Sequence, residues 1–189
     1  FLEDPLPVII ALAAAGLVLG WHALREGLPR RGAAAGGLLL AAAGAWGLAA
    51  SVATPAEHAE RAVRDFVAAV GRGDVVAVDR LLARDATVHT GRETNLGLGR
   101  ERVLAGVEWL QRRGLESVEV GGIDAWSDGD DRAVVHLTAG ARAEDWAPTG
   151  SRWVIRVARA PYAGGDAWRI RRLIWVELIG QPPPGLPRF

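Results

Sequence analysis

The sequence predicts an α+β domain carried behind two N-terminal apolar helices, and three observations predict it. Two long runs near the N-terminus carry no formal charge. From about residue 55 to Gly114 the apolar residues recur with the period of an amphipathic helix. Beyond Gly114 the period drops to two, interrupted by polar segments rich in Gly and Asp, as in a chain of β-hairpins.

The apolar runs are 6–24 (LPVIIALAAAGLVLGWHAL) and 33–53 (AAAGGLLLAAAGAWGLAASVA). At about 1.5 Å per residue, each is long enough to cross a hydrocarbon core of about 30 Å. The connector 25–32 (REGLPRRG) holds Gly27, Pro29 and Gly32, which suits a tight turn between antiparallel helices. Residues 1–54 are therefore expected to form a transmembrane helical hairpin. The competing readings are an uncleaved signal sequence for the first run and a buried soluble helix for the second. The closeness of the two runs, and a downstream domain that needs neither, favour the hairpin.

The second run is rich in Ala and Gly, and Gly16-x-x-x-Gly20 and Gly32-x-x-x-Gly36 follow the small-xxx-small spacing of close helix packing. Gly16, Gly20 and Gly36 are thus expected to pack helices against each other and against other membrane subunits. A GC-rich genome would supply Ala and Gly regardless. Arg25, Arg30 and Arg31 lie in the connector, whereas Glu3 and Asp4 lie ahead of the first run. The positive-inside rule then keeps the connector cytoplasmic and puts the large domain on the periplasmic or exoplasmic side of a bacterial cytoplasmic (inner) membrane. Arg61 and Arg64 oppose this assignment in part.

The formal charge is zero, from 22 basic and 22 acidic residues, and every basic residue is Arg. That balance gives no electrostatic case for nucleic acid. With no Cys, disulfides, thiolate metal sites and cysteine nucleophiles are excluded. With no Met, Phe1 is not expected to be the translational start. His22, His58, His89 and His136 do not have a metal-ligand spacing, and no phosphate loop, dinucleotide fingerprint or Ser-His-Asp order occurs. Neither a metal nor a cofactor is expected.

The soluble domain, 55–180, opens with Thr54-Pro55-Ala56-Glu57, a helix start with a capping residue and Pro at the first helical position. Ala59, Ala62, Val63, Phe66, Val67 and Val70 then share one helical face. Asp74 caps a shorter helix with Val75, Val78, Leu81 and Leu82 inside, and an extended piece follows from Ala86 to Thr90. A third helix is expected over 100–113. Strands are expected at 115–126, 132–143, 151–160 and 167–179, with a longer polar separator at 144–150 and a β-bulge at Gly121-Gly122. The Pro-rich tail 181–189 is expected to run extended over the surface.

Three stretches carry a family resemblance: AVRDFVAAVGRGDVVAVDRLLARDATVHTG at 62–91, GRERVLAGVEWL at 99–110 and AWRIRRLIWVELIG at 167–180. Together they resemble the NTF2-like superfamily, in its SnoaL-like and ketosteroid-isomerase-like branches. The resemblance implies a cone: three N-terminal helices packed on a curved antiparallel sheet, with an apolar mouth between them. The isomerase branch places a general-base Asp just after the Ala-Thr-Val strand, but here the matching stretch is Ala86-Thr87-Val88-His89-Thr90. The family's proton shuttle therefore lacks its base.

His89 and His136 are the remaining acid/base candidates. On the ligand side the candidates are Phe66, on the inner helix face, and Arg172, which alternation groups with Trp168, Ile170, Ile174 and Val176. The opposite face of that strand, with Arg169, Arg171, Leu173, Trp175 and Glu177, is expected to pack a partner. Trp146, in the polar separator, is expected to do so too. The expected function is a non-catalytic, membrane-anchored accessory subunit, partnered by other membrane subunits or a second copy through the outer sheet face. The alternative is a SnoaL-like enzyme or binding module for a small hydrophobic ligand.

Overall fold

The computed structural model describes residues 6–27, 29–51, 53–91, 97–144, 146–162 and 165–178, except for the side chains at 6, 29–31, 48–51, 146–148, 162 and 165–166. The chain divides into two compact units, Phe1–Thr54 and Pro55–Phe189.

The first unit holds α1 (Leu6–Glu26) and α2 (Pro29–Ser51). Both helices extend into the stretch expected as a connector, so only residues 27 and 28 separate them. Gly27 takes φ +64°, the left-handed conformation that ends a helix cheaply, and Pro29 stands at the first helical position, where its missing N–H costs nothing. The seam between the helices is made of small residues. Ala23, Ala35 and Ala42 are buried there. A Cβ at Gly16 would meet Leu39 Cγ at 3.0 Å, and one at Gly20 would meet the Ala35 Cβ at 3.7 Å. Ile10, Leu17, Val18, Trp21, Leu24, Leu40 and Trp46 all stay exposed, the reverse of a water-soluble helix pair. Among the described residues one helix, Pro7–Glu26, is long and apolar enough to cross a membrane. In α2 the stretch Gly32–Gly47 is apolar as well.

In the second unit the helices are α3 (Pro55–Gly71), α4 (Val75–Leu81) and α5 (Arg100–Arg112). Asp74 caps α4, its Oδ1 accepting from the Ala77 N–H at 2.9 Å. The six strands are β1 (Leu82–Thr90), β2 (Leu98–Gly99), β3 (Leu115–Ser127), β4 (Arg132–Ala143), β5 (Trp146–Tyr162) and β6 (Gly165–Leu178), in sheet order β2-β1-β6-β5-β4-β3. Ala59, Val63, Phe66 and Val67 of α3 and Val107 of α5 close over Val135, Leu137, Ile155, Val157, Ile170 and Leu173 of the sheet. This helix-facing side is the inner face.

The fold is the expected helix-and-sheet cone, and it differs from the sequence reading at three places. The sheet is mixed: β3 to β6 pair antiparallel, but β1 lies parallel to β6. The short extended piece thus begins at Leu82, lengthened by a partner far away in sequence. The separator 144–150 is mostly strand, because Ala143 pairs with Trp146 and Ala141 with Thr149. Polar side chains do not stop a ladder made by the backbone. The bulge at Gly121-Gly122 is present as a register shift between Val120 and Gly122. The tail expected at 181–189 lies outside the described residues.

The third difference reassigns faces. In β6, Arg172 stands opposite Arg156 but Ile170 stands opposite Val157, so Arg171 is an extra residue. This is a β-bulge, and it inverts the alternation beyond it. Trp168, Ile170 and Leu173 point to the core, whereas Arg172 and Ile174 go to the outer face, away from the helices. Strict alternation had grouped Arg172 with Trp168 and Ile170.

Candidate functional site

The inner face carries the main apolar cluster of the domain. Phe66, 8% exposed, is part of the main core cluster. Toward the end of that face Trp153 and Trp175 stack at 5.6 Å between centroids and 9° between planes. Their indoles are held locally: Trp153 Nε1 donates to Ser151 Oγ at 2.9 Å, and Trp175 Nε1 donates to the Glu177 carbonyl at 3.1 Å. Trp168 stacks on His58 at 5.5 Å.

The outer face carries the polar chemistry, in two rows that the strand register defines. One row runs Trp126, Val134, Arg156, Arg172, Thr87 across β3, β4, β5, β6 and β1. The next runs Asp124, His136, Val154, Ile174, His89. The two histidines therefore share a face but sit three strand spacings apart, about 14 Å. His89 is buried, with Thr87 Oγ1 2.9 Å from its Nε2 and Gly97 lying flat against the ring. A Cβ at Gly97 would come within 2.6 Å of that same nitrogen, so a side chain there would displace the His89 ring. His136 is exposed and meets Trp126 edge to face at 4.5 Å.

Below the first row a groove of about 450 Å³ opens, lined by Asp85, Thr87, Asp128, Arg132, Arg156, Arg171 and Arg172. Arg171 and Asp85 form an ion pair across it. The hydrogen bond and charge of Arg171 hold the Asp85 carboxyl below its usual range, and Asp85 in turn raises Arg171. Arg156 approaches Asp128 at 3.9 Å, and Arg132 approaches Asp131 at 3.6 Å. Among the described residues no cluster of three His, Asp or Glu could hold a metal.

The structure thus separates the sequence candidates. His89, His136 and Arg172 lie on the outer face, Phe66 in the core, and Trp175 against Trp153. Gly16 and Gly20 lie in the α1–α2 seam, whereas a Cβ at Gly36 would meet open space. Trp146 opens β5, and its side chain lies outside the described residues. Sequence reasoning did not single out Arg132, Arg156, Arg171, Asp85 or Thr87 as a group. The available signal was the Arg171-Arg172 doublet inside an alternating strand, where one of two basic neighbours must otherwise face the core.

A family model for the SnoaL-like domain matches residues 63–176. Several solved structures share the fold. An NTF2-like protein of unknown function in nutrient uptake from Rhodospirillum rubrum is 18% identical, with a TM-score of 0.50, covering 61% of this chain and 92% of its own. A candidate scytalone dehydratase from Novosphingobium aromaticivorans is 16% identical, with a TM-score of 0.50, over 69% and 93%. A candidate ketosteroid isomerase from Shewanella frigidimarina is 17% identical, with a TM-score of 0.50, over 62% and 94%. At such identities the likeness is one of fold. No curated protein matches the chain in sequence.

Proposed function

This chain belongs to the SnoaL-like domain family, and we propose that it is a membrane-anchored accessory or assembly subunit of a larger membrane complex, without catalysis of its own. The observation that carries this reading is the distribution of polar groups across the sheet. The helices close over Val135, Leu137, Ile155, Val157, Ile170 and Leu173, whereas His89, His136, Arg156 and Arg172 lie in the rows of the opposite face. A general acid or base must come within hydrogen-bond reach of its substrate. From the outer face neither His89 nor His136 reaches a ligand held between helices and sheet.

The anchor reading rests on α1, on the small-residue seam and on the apolar residues that α1 and α2 leave exposed. The Arg residues around the α1–α2 junction favour a periplasmic or exoplasmic domain at a bacterial cytoplasmic membrane. In this reading other membrane subunits pack on the hairpin and on the outer sheet face around Trp126, 43% exposed. The test is gentle detergent extraction from native membranes, size separation and mass spectrometry of what co-migrates. Reproducible co-migration with other membrane subunits is the expected result, and a lone monomer or homodimer would sink the proposal.

A second reading draws on the Trp153–Trp175 stack. An aromatic pair beside the apolar interior suits a flat hydrophobic ligand, as pockets of this kind combine aromatic walls with few polar groups. Quenching of tryptophan fluorescence by a hydrophobic ligand series, abolished in Trp175→Leu, would favour it over the assembly role.

A further inference from the structure

The end of α1 brings an aromatic ring, a guanidinium and a net positive charge together on its exposed side. Ala23 is buried in the seam with α2, whereas its neighbours turn away: Trp21 is 63% exposed, Leu24 is 85% exposed, and Arg25 is exposed as well. Trp21 and Arg25 lie four residues apart on one helix face, and the Arg25 guanidinium sits over the indole, 5.6 Å from the ring centroid. A guanidinium stacked on a ring keeps the N–H groups of its own plane at its edge, where they donate outward. His22 approaches Glu26 at 3.6 Å on the adjoining stripe of the helix. Between Trp21 and Gly32 the sequence sets Arg25, Arg30 and Arg31 against the one carboxylate of Glu26, so positive charge is in formal excess.

We propose that this end of the hairpin binds the headgroup of an anionic phospholipid, with Arg25 donating to its phosphate and Trp21 at the level of the glycerol backbone. The inference rests on the anchor reading and adds to it the class of lipid. Tryptophan favours the depth where hydrocarbon meets headgroups. The helical rise then carries Arg25 about 6 Å further along the axis, to the depth of the phosphates. Leu17, Val18 and Leu24, all exposed, meet the acyl chains below. Charge decides between lipids. A zwitterionic headgroup carries its own cation, which competes with the guanidinium for the phosphate. An anionic headgroup brings net negative charge to a junction of net positive charge, and each Arg near the surface then adds to the attraction.

The test uses the full chain and has two stages. The chain is first reconstituted into phosphatidylcholine vesicles and challenged with alkaline carbonate. It is then carried into micelles doped equally with phosphatidylglycerol and phosphatidylcholine, and the lipids it retains are counted by native mass spectrometry. The variants are Arg25→Gln, Trp21→Leu and Glu26→Gln. Arg112→Gln, whose guanidinium pairs with Glu108 on α5 in the other unit, is the charge-loss control.

The unaltered chain should resist carbonate and retain phosphatidylglycerol in preference to phosphatidylcholine. Arg25→Gln should lower that preference about fivefold, Trp21→Leu by less, and Arg112→Gln not at all. Glu26→Gln should raise it, because the variant removes the opposing carboxylate; an unfolded hairpin would not give such a gain. Equal retention of the two lipids, a preference unchanged in Arg25→Gln, or one that falls in Glu26→Gln overturns the proposal and leaves the anchor standing. Release of the unaltered chain by carbonate removes the anchor reading, and this inference with it.

Discussion

The two faces of one sheet divide the work of this domain. The inner face presents Val135, Leu137, Ile155, Val157, Ile170 and Leu173 to the helices, with Trp168 stacked on His58 beside them. The outer face, one residue away along the same strands, presents Arg156, Arg172, His136, Trp126 and Thr87. Alternation along each strand makes this division automatic, and bulges decide where it slips. The inner face therefore answers to packing, and its substitutions should register as stability. The outer face answers to solvent and partners, and its substitutions should register as binding.

The strongest way to break that contrast is Phe66→Ala. If Phe66 is a packed core residue, the variant should lose roughly 3–5 kcal/mol of unfolding free energy in a denaturant titration. A loss under about 1 kcal/mol would mean that the residue borders an open ligand mouth, and the inner face would be a site after all. Gly16→Leu extends the same logic to the helical unit. A Cβ there already meets Leu39 Cγ at 3.0 Å and the Ala35 carbonyl at 3.3 Å. A larger side chain should force α1 and α2 apart at a cost of about 1–3 kcal/mol, whereas Gly36→Ala should be neutral because its Cβ meets nothing within 4 Å. Disulfide cross-linking between engineered Cys pairs across the seam would read both.

Much of this architecture was legible in the sequence. The helix at 55–71 announced itself through Ala59, Val63, Phe66 and Val67 on one face, and the Gly121-Gly122 bulge through a slip in alternation. Two kinds of information were not local. The pairing of β1 with β6 joins strands separated by most of the domain, and nothing within 82–90 names that partner. The bulge at Arg171 has no glycine to mark it, so alternation was carried through it and Arg172 was assigned to the wrong face. The candidate groove was hidden for the same reason, since it exists only once the bulge and the cross-strand register bring Arg156, Arg171 and Arg172 together.

A smaller effect should come from the Asp85–Arg171 pair. Its members are half-exposed, so the pair should contribute no more than about 1 kcal/mol at low salt and less at high salt. The folded Asp85 carboxyl is held below its usual value, so its contribution is present above the unfolded pKa, near 3.9, and fades as pH falls through the lower folded value. Asp85→Asn should therefore cost a little stability at pH 7 and nothing further in acid, flattening the acid limb of the stability profile. Unfolding free energies measured from pH 7 down to pH 3 would test the sign.

A similarly small effect on folding, and the sharpest test of the contrast, belongs to Trp126→Ala. Trp126 is 43% exposed, and its described ring contact is the edge-to-face one with His136. Such a contact contributes about 0.5–1.5 kcal/mol, so the domain should stay folded and lose little. If the outer face packs a partner, however, a half-exposed Trp beside Val134 is the kind of anchor whose truncation costs about 2 kcal/mol or more of binding. The expected result is a near-normal denaturation curve together with loss of co-migrating protein after gentle detergent extraction. Loss of both together would show that Trp126 supports the fold itself, and the outer face would then be a second packing surface rather than a docking one. Retention of both would remove Trp126 from the interface and leave the hairpin as the contact that holds the complex.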